Sequence, residues 1–175
     1  SHNTGIDFKS GSLLEWQCER KLCFANPYMI KVVCCLLKLN KTVVAISDMY
    51  FKEDYLKELL IKNGYGGIKN VLSSCDYGTS KSEGGLYRIV KDRFYGQKSF
   101  AMVGDNLHSD IKMAQKNGFD SYYYPNVNQL GAKLRCKDMS KLVKSVYGAL
   151  VNAHIYNGVN SFDIAYEYGF IYGGL

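Results

Sequence analysis

At 175 residues and 47% hydrophobic, the chain is long enough for one globular domain with a sizeable core. Charged residues make up 22% of it and apolar segments alternate with polar breaks, a pattern that argues against intrinsic disorder. The net charge of +6 invites an anionic partner, but the excess collects late, at Lys133, Arg135, Lys137, Lys141 and Lys144. No nucleic-acid motif accompanies that stretch, and Lys141 and Lys144 stand at the spacing of a solvated helix face, so no nucleic-acid partner is expected.

No apolar run approaches the roughly 18 residues of a membrane span. The longest, Tyr28 to Leu39, is broken by Lys31 and Lys38 and reads as a core helix. Residues 1–11 are polar and lack the apolar region of a secretory signal. The six cysteines show no paired CxxC spacing, and Cys34 and Cys35 are adjacent within an apolar helix. They read as buried, reduced thiols of a cytoplasmic protein, with Cys75 set apart in a polar stretch. The chain starts at Ser1 rather than Met, so the expectation is a piece of a longer protein, covalently continuous with further domains.

Three regions are expected: an N-terminal helical segment over 1–25, a core over 26–125, and a helix with a Tyr- and Gly-rich tail over 126–175. Leu13, Leu14, Trp16 and Leu22 mark the first helix. Asn26-Pro27 opens the next, with Asn as cap and Pro at the first helical position. Val43 to Ile46 is a short continuous apolar run, as in a strand buried on both faces of a parallel sheet. Ser47-Asp48 ends it and is placed to cap a helix in which Leu56, Leu59 and Leu60 face inward and Gly64 marks the stop. Ile68 to Leu72 is strand-like. The polar stretch from Ser73 to Ser82 leads into a helix with Leu86, Ile89, Val90 and Phe94 on one face. Phe100 to Val103 is a strand, Gly104 to Ser109 a loop, and Ile111 and Ala114 lie on a helix closed by Gly118. Ser121 to Tyr124 is a last short strand. Repeated strand–helix units predict an α/β, Rossmann-like parallel sheet with helices on both faces. Binding residues in such sheets gather at the carboxyl ends of the strands.

Two polar clusters, Ser47-Asp48 and Gly104 to Asp110, follow strands directly, and a third, Thr79 to Lys81, opens a helix. Phosphoryl transfer is mostly positioning and neutralisation of charge. It needs a hydroxyl and amides for the phosphate, a fixed cation, and carboxylates to hold a Mg2+. Ser47, Lys81, and Asp105 with Asp110 offer these groups in turn. Each alone has a structural reading: a helix cap, a surface lysine, a turn and a helix N-terminus. Their order on successive sheet units is what points to chemistry.

The segments Ala45-Ile-Ser-Asp-Met-Tyr50, Tyr77-Gly-Thr-Ser-Lys-Ser-Glu-Gly-Gly-Leu-Tyr87 and Val103-Gly-Asp-Asn-Leu-His-Ser-Asp110 resemble the second, third and fourth motifs of haloacid dehalogenase-like (HAD) hydrolases. The resemblance runs from about residue 26 to residue 125. The Ser-Asp-Met-Tyr variant is most similar to HAD-like domains of bacterial surface-polysaccharide and glycosyltransferase gene products, as is the tail Tyr166 to Gly174. It implies a Mg2+-dependent phosphatase or phosphotransferase acting on a phosphorylated small molecule, such as a sugar phosphate. By resemblance Ser47 binds phosphate, Lys81 neutralises the phosphorylated intermediate and Asp105 binds Mg2+. Asp110 supports the metal or its waters. Asp48 and Asn106 adjoin these positions without a catalytic role, and His108 matches no catalytic position. Residues 1–25 are then either a remnant of the family's cap or a core helix.

The family's nucleophilic Asp, carried on a DxDx[TV] strand or a variant of it, has no match in residues 1–46. Asp7 lacks a preceding strand, and Phe162-Asp-Ile-Ala-Tyr166 departs from the pattern after Asp163. The Rossmann-like sheet is therefore expected to be incomplete, and the isolated chain inactive. The alternative is a non-catalytic HAD-like module that binds or regulates within a larger polysaccharide-biosynthesis protein.

Overall fold

The computed structural model describes residues 7–23, 25–125 and 140–142. Most of the helix expected near 140–153, the tail after it, Cys136 and Asp163 lie outside the described residues. The elements run α1 (Phe8–Leu22), α2 (Pro27–Lys38), β1 (Val44–Ser47), α3 (Glu53–Lys62) and β2 (Asn70–Ser73). There follow α4 (Ser74–Tyr77), α5 (Gly85–Arg93), β3 (Ala101–Gly104), a π-helical turn (Leu107–Lys112), α6 (Met113–Lys116) and β4 (Asp120–Tyr123).

The sheet is parallel, as the alternation predicts, but it comes in two pieces. β1 pairs with β2, Val44 opposite Asn70 through Ser47 opposite Ser73. β3 pairs with β4, Ala101 opposite Asp120 through Gly104 opposite Tyr123. Among the described residues no hydrogen bonding joins the two pairs. An edge strand in a parallel sheet leaves part of its amides and carbonyls without a ladder partner. Among the described residues the sheet is thus two parallel fragments, consistent with an incomplete α/β frame.

Period-two alternation decides which side of each strand meets which helix. Val44 and Ile46 of β1, Leu72 of β2 and Met102 of β3 pack on one side against Leu86, Tyr87 and Val90 of α5, with Ala114 and Phe119. Ala45 and Val71 pack on the other side with Trp16 of α1 and Phe51 and Leu56. Both sheet fragments therefore share the α5 core. Each of its fully buried side chains contributes roughly 1.5–3 kcal/mol through area removed from water. Trp16 anchors α1 to the other core, edge-on to Phe51 at 5.5 Å and to Tyr55 at 4.8 Å. That contact makes α1 part of the packed body, although Leu13, Leu14 and Leu22 are exposed.

Two expectations need correction. The Tyr28–Leu39 segment is helical, with Asn26 capping the amides of Tyr28 and Met29. It is not a core helix, because Tyr28, Cys34, Cys35, Leu36 and Leu39 are exposed. Nor are the cysteines buried: Cys18, Cys34, Cys35 and Cys75 are exposed and Cys23 is half-buried. For α2 with Cys34 and Cys35 the reason is shared, since no described element covers the outer side of that helix; Cys18 and Cys75 lie on exposed positions of α1 and α4. Cys23 donates to Glu19, and burial, followed by that bond, pushes its thiol up to about 11.

Candidate functional site

The site is built where the chain leaves β1, β3 and the loop before α5. Ser47 is the last residue of β1 and half-buried, opposite Ser73 of β2. Ser73 is fully buried, and its hydroxyl donates to the carbonyls of Met49 at 3.1 Å and Phe51 at 2.5 Å. Ser74 donates to Met49 as well, at 3.1 Å. Two serines from the end of β2 thus shape the 48–52 loop that follows Ser47. Their part was hidden in the sequence, where they read as the start of a polar stretch.

Asp48 does not cap the helix after it. α3 begins behind Lys52, which makes no side-chain cap, and its first amide, that of Glu53, donates to Asp76 Oδ2 at 2.7 Å. Asp48 Oδ1 instead accepts from the backbone amide of Lys81 at 2.7 Å. The physical reason is geometric: four residues separate Asp48 from Glu53 at the start of α3, too many for an N-cap, whereas the chain after β2 brings Lys81 alongside.

Lys81 is presented by a capping box. The amide of Glu83 donates to Ser80 Oγ at 3.1 Å, and the amide of Ser80 donates to Glu83 Oε2 at 3.1 Å. Gly84 follows with φ +81°, in the left-handed region that favours glycine. A Cβ on Gly85 would lie 1.8 Å from Thr79 Oγ1, so the loop closes tightly on the helix start. From this turn Lys81 Nζ reaches Asp110 Oδ1 at 2.6 Å, with side chains only 13% and 4% exposed. Twenty-nine residues separate the pair in sequence.

Asp110 sits in the π-helical turn after β3. π turns insert one residue into a helical path and re-aim the side chains they carry. Asn106 caps the turn, accepting from the amides of His108 at 2.9 Å and Ser109 at 3.0 Å. The amide of Asn106 donates back to Asp110 Oδ2 at 3.0 Å, and Ser109 Oγ donates to Asp110 Oδ1 at 3.2 Å. A Cβ at Gly104 would lie 2.3 Å from Asp110 Oδ2, so glycine here is what lets the carboxylate lie against the strand end. Asp105, half-buried, follows immediately. Tyr87 of α5, fully buried, donates its hydroxyl to the carbonyl of Ser109 at 2.8 Å. Burial first, then the charges of Asp110 and Asp48, raise its phenol above the ordinary tyrosine value, so it remains a donor. His108 is exposed.

The structure therefore joins Lys81 to Asp110 directly and draws in Asp48, which had been set aside as a mere neighbour. Ser47 and Asp105 stand at the carboxyl ends of β1 and β3, each one residue from this network or within its turn. Among the described residues no three His, Cys, Asp or Glu side chains cluster as a ready-made metal cage. Mg2+ does not require one, because it keeps several waters and is held by one or two carboxylates. Asp110 brings a buried carboxylate held by the Lys81 ammonium, the Ser109 hydroxyl and the Asn106 amide, and Asp105 brings a second, half-buried carboxylate directly after β3, so the chemistry of the donors suits Mg2+.

A comparison with curated proteins finds none that matches the chain. A family model described as "HAD-hyrolase-like" matches residues 79–127, the stretch that begins with the Lys81 loop and ends beyond β4. The stretch that carries Lys81, Asp105 and Asp110 is thus the part of the chain that is similar to HAD-like hydrolases, on a parallel α/β frame that is incomplete among the described residues.

Proposed function

We propose that the chain carries the phosphate- and metal-handling half of a Mg2+-dependent phosphatase or phosphotransferase. Its substrate is a phosphorylated small molecule, and the Ser-Asp-Met-Tyr variant favours a sugar phosphate of polysaccharide biosynthesis, handled in the cytoplasm. The observation that carries this reading is the largely buried Lys81–Asp110 pair, assembled from two loops at the strand ends. Burying both charges is costly unless they are paired and further hydrogen-bonded, as these are. Such an arrangement places a fixed cation beside a carboxylate where a phosphoryl group and its metal would meet.

In this reading Ser47 donates its hydroxyl to a phosphate oxygen and Lys81 neutralises the transferring group. Asp105 holds Mg2+, and Asp110 supports the metal or its waters while orienting Lys81. Mg2+, when bound, supplies charge neutralisation at the phosphate oxygens. The nucleophile comes from a further parallel strand, seated between β1 and β3, which would also pair their open edges. No described residue supplies it.

The test is direct. Residues 1–175 are mixed with a generic phosphomonoester and Mg2+, and Mg2+ binding is followed by calorimetry. The expected result is binding that Asp105→Asn abolishes, without turnover. Absence of Mg2+ binding overturns the metal assignment. Turnover that Asp105→Ala abolishes overturns the missing nucleophile and directs the search to Asp163. The second reading, a non-catalytic HAD-like module, is favoured by the exposed apolar side chains of α1 and α2, a surface suited to a partner. It predicts no Mg2+ binding.

A further inference from the structure

Tyr87 carries a polar tip for which the phosphate-handling reading has no use. Its side chain is fully buried in the first turn of α5, edge-on to Phe119 with ring centroids 5.0 Å apart. A phenylalanine would fill that space equally well. The hydroxyl therefore has a separate reason, and its one described partner is the carbonyl of Ser109, at 2.8 Å in the core.

Ser109 lies in the π-helical turn, one residue before Asp110, and its own hydroxyl donates to Asp110 Oδ1. Just before Tyr87, α5 opens from the capping-box turn that presents Lys81. The start of α5 thus meets both groups, with Lys81 on the turn that leads into it and the Asp110 turn held by Tyr87 of its first turn. A shift of that turn would move the carboxylate against a cation fixed elsewhere.

We infer that Tyr87 is a positioning residue for the site, its hydroxyl fixing the Asp110 turn relative to the helix whose leading turn presents Lys81. The inference extends the proposed function but does not depend on it for its structural arm. Two variants of the full 175-residue chain separate positioning from general core support. Tyr87→Phe removes only the hydroxyl, and Val90→Ala loosens the same core without touching Ser109.

Amide hydrogen exchange is one readout, since the Asp110 amide is bonded to the Asn106 carbonyl at 2.9 Å. Tyr87→Phe is expected to speed exchange at residues 107–112 about tenfold, with β3 unchanged, as a local opening does. Val90→Ala is expected to melt earlier without this local signature. The second readout is affinity for Mn2+ alone, followed by its electron spin resonance signal. A residue behind the metal site is expected to cost about tenfold here, and Val90→Ala nothing.

Tyr87→Phe exchange that is unchanged, or that rises uniformly as in Val90→Ala, overturns the positioning role. So does unchanged Mn2+ affinity in Tyr87→Phe when the unmodified chain binds the ion. If the unmodified chain binds no Mn2+, the metal reading fails by itself and the exchange data still decide the role of Tyr87.

Discussion

At Gly104 a single missing side chain shapes the site. The Asp110 carboxylate lies where a Cβ would be, 2.3 Å from Oδ2 and 2.5 Å from Cγ, closer than any relaxed contact. Gly104→Ala must push the carboxylate away or displace the strand end. Overpacking of this kind costs about 1–3 kcal/mol, and urea denaturation of Gly104→Ala beside the unmodified chain is expected to show a loss in that range. An unchanged midpoint would mean that the turn yields freely. Glycine at this position read in the sequence only as part of a turn. What it accommodates depends on a carboxylate six residues later, folded back by the π turn. Asp48 makes the same point from the opposite side: a carboxylate next to a strand end suggests a local cap, and the partner it finds is 33 residues away.

The helices show where local chemistry suffices and where it does not. The start of α2 was legible because Asn-Pro carries its own instruction, a side-chain acceptor followed by a preset φ. Asn26 Oδ1 takes the amides of Tyr28 and Met29, at 3.0 and 3.1 Å. Its Nδ2 also donates to the hydroxyl of Tyr124 at 2.8 Å, which no local pattern encodes. Asn26→Ala is expected to cost about 1–2 kcal/mol, as loss of an N-cap does. Asn26→Asp keeps the acceptor and loses only the donor, so its thermal midpoint should fall between the two. Equal losses for both variants would place the whole effect on the Tyr124 bond. The start of α3 was not legible, because its first amide is bonded by Asp76 from α4 rather than by a neighbour in sequence. The π turn was likewise read as a loop passing into an ordinary helix, since one inserted residue leaves the hydrophobic spacing nearly intact.

Across the whole molecule, the Lys81–Asp110 pair is the polar counterpart of the core beneath it. The core joins the two sheet fragments through α5, and the ion pair joins the loops above them. Removing one partner leaves the other charge buried. Lys81→Met or Asp110→Asn alone is therefore expected to destabilise by about 3–5 kcal/mol, and the two together by clearly less than the sum. A double-mutant cycle by chemical denaturation measures this, and additive losses would show that the pair is not coupled. The edges of β1 and β3 left without a partner among the described residues also belong to this scale, for they are a property of how strands are arranged and not of any one strand. Among the described residues no helix is long and apolar enough to cross a membrane.

The amino-acid sequence by itself determined the order of the main helices and strands and the parallel α/β pattern, and it singled out the residues whose chemistry is proposed. Those follow from short-range rules: hydrophobic period, caps, breakers and motif spacing. Tertiary structure decided which of those residues meet. It paired Lys81 with Asp110, gave Asp48 to the Lys81 amide and Asp76 to α3, and left the outer side of α2 exposed. Among the described residues it also left the sheet as two separate pairs of strands. Each of these outcomes rests on contacts between segments distant in the chain, where the path of intervening loops sets the distance and no local pattern records it.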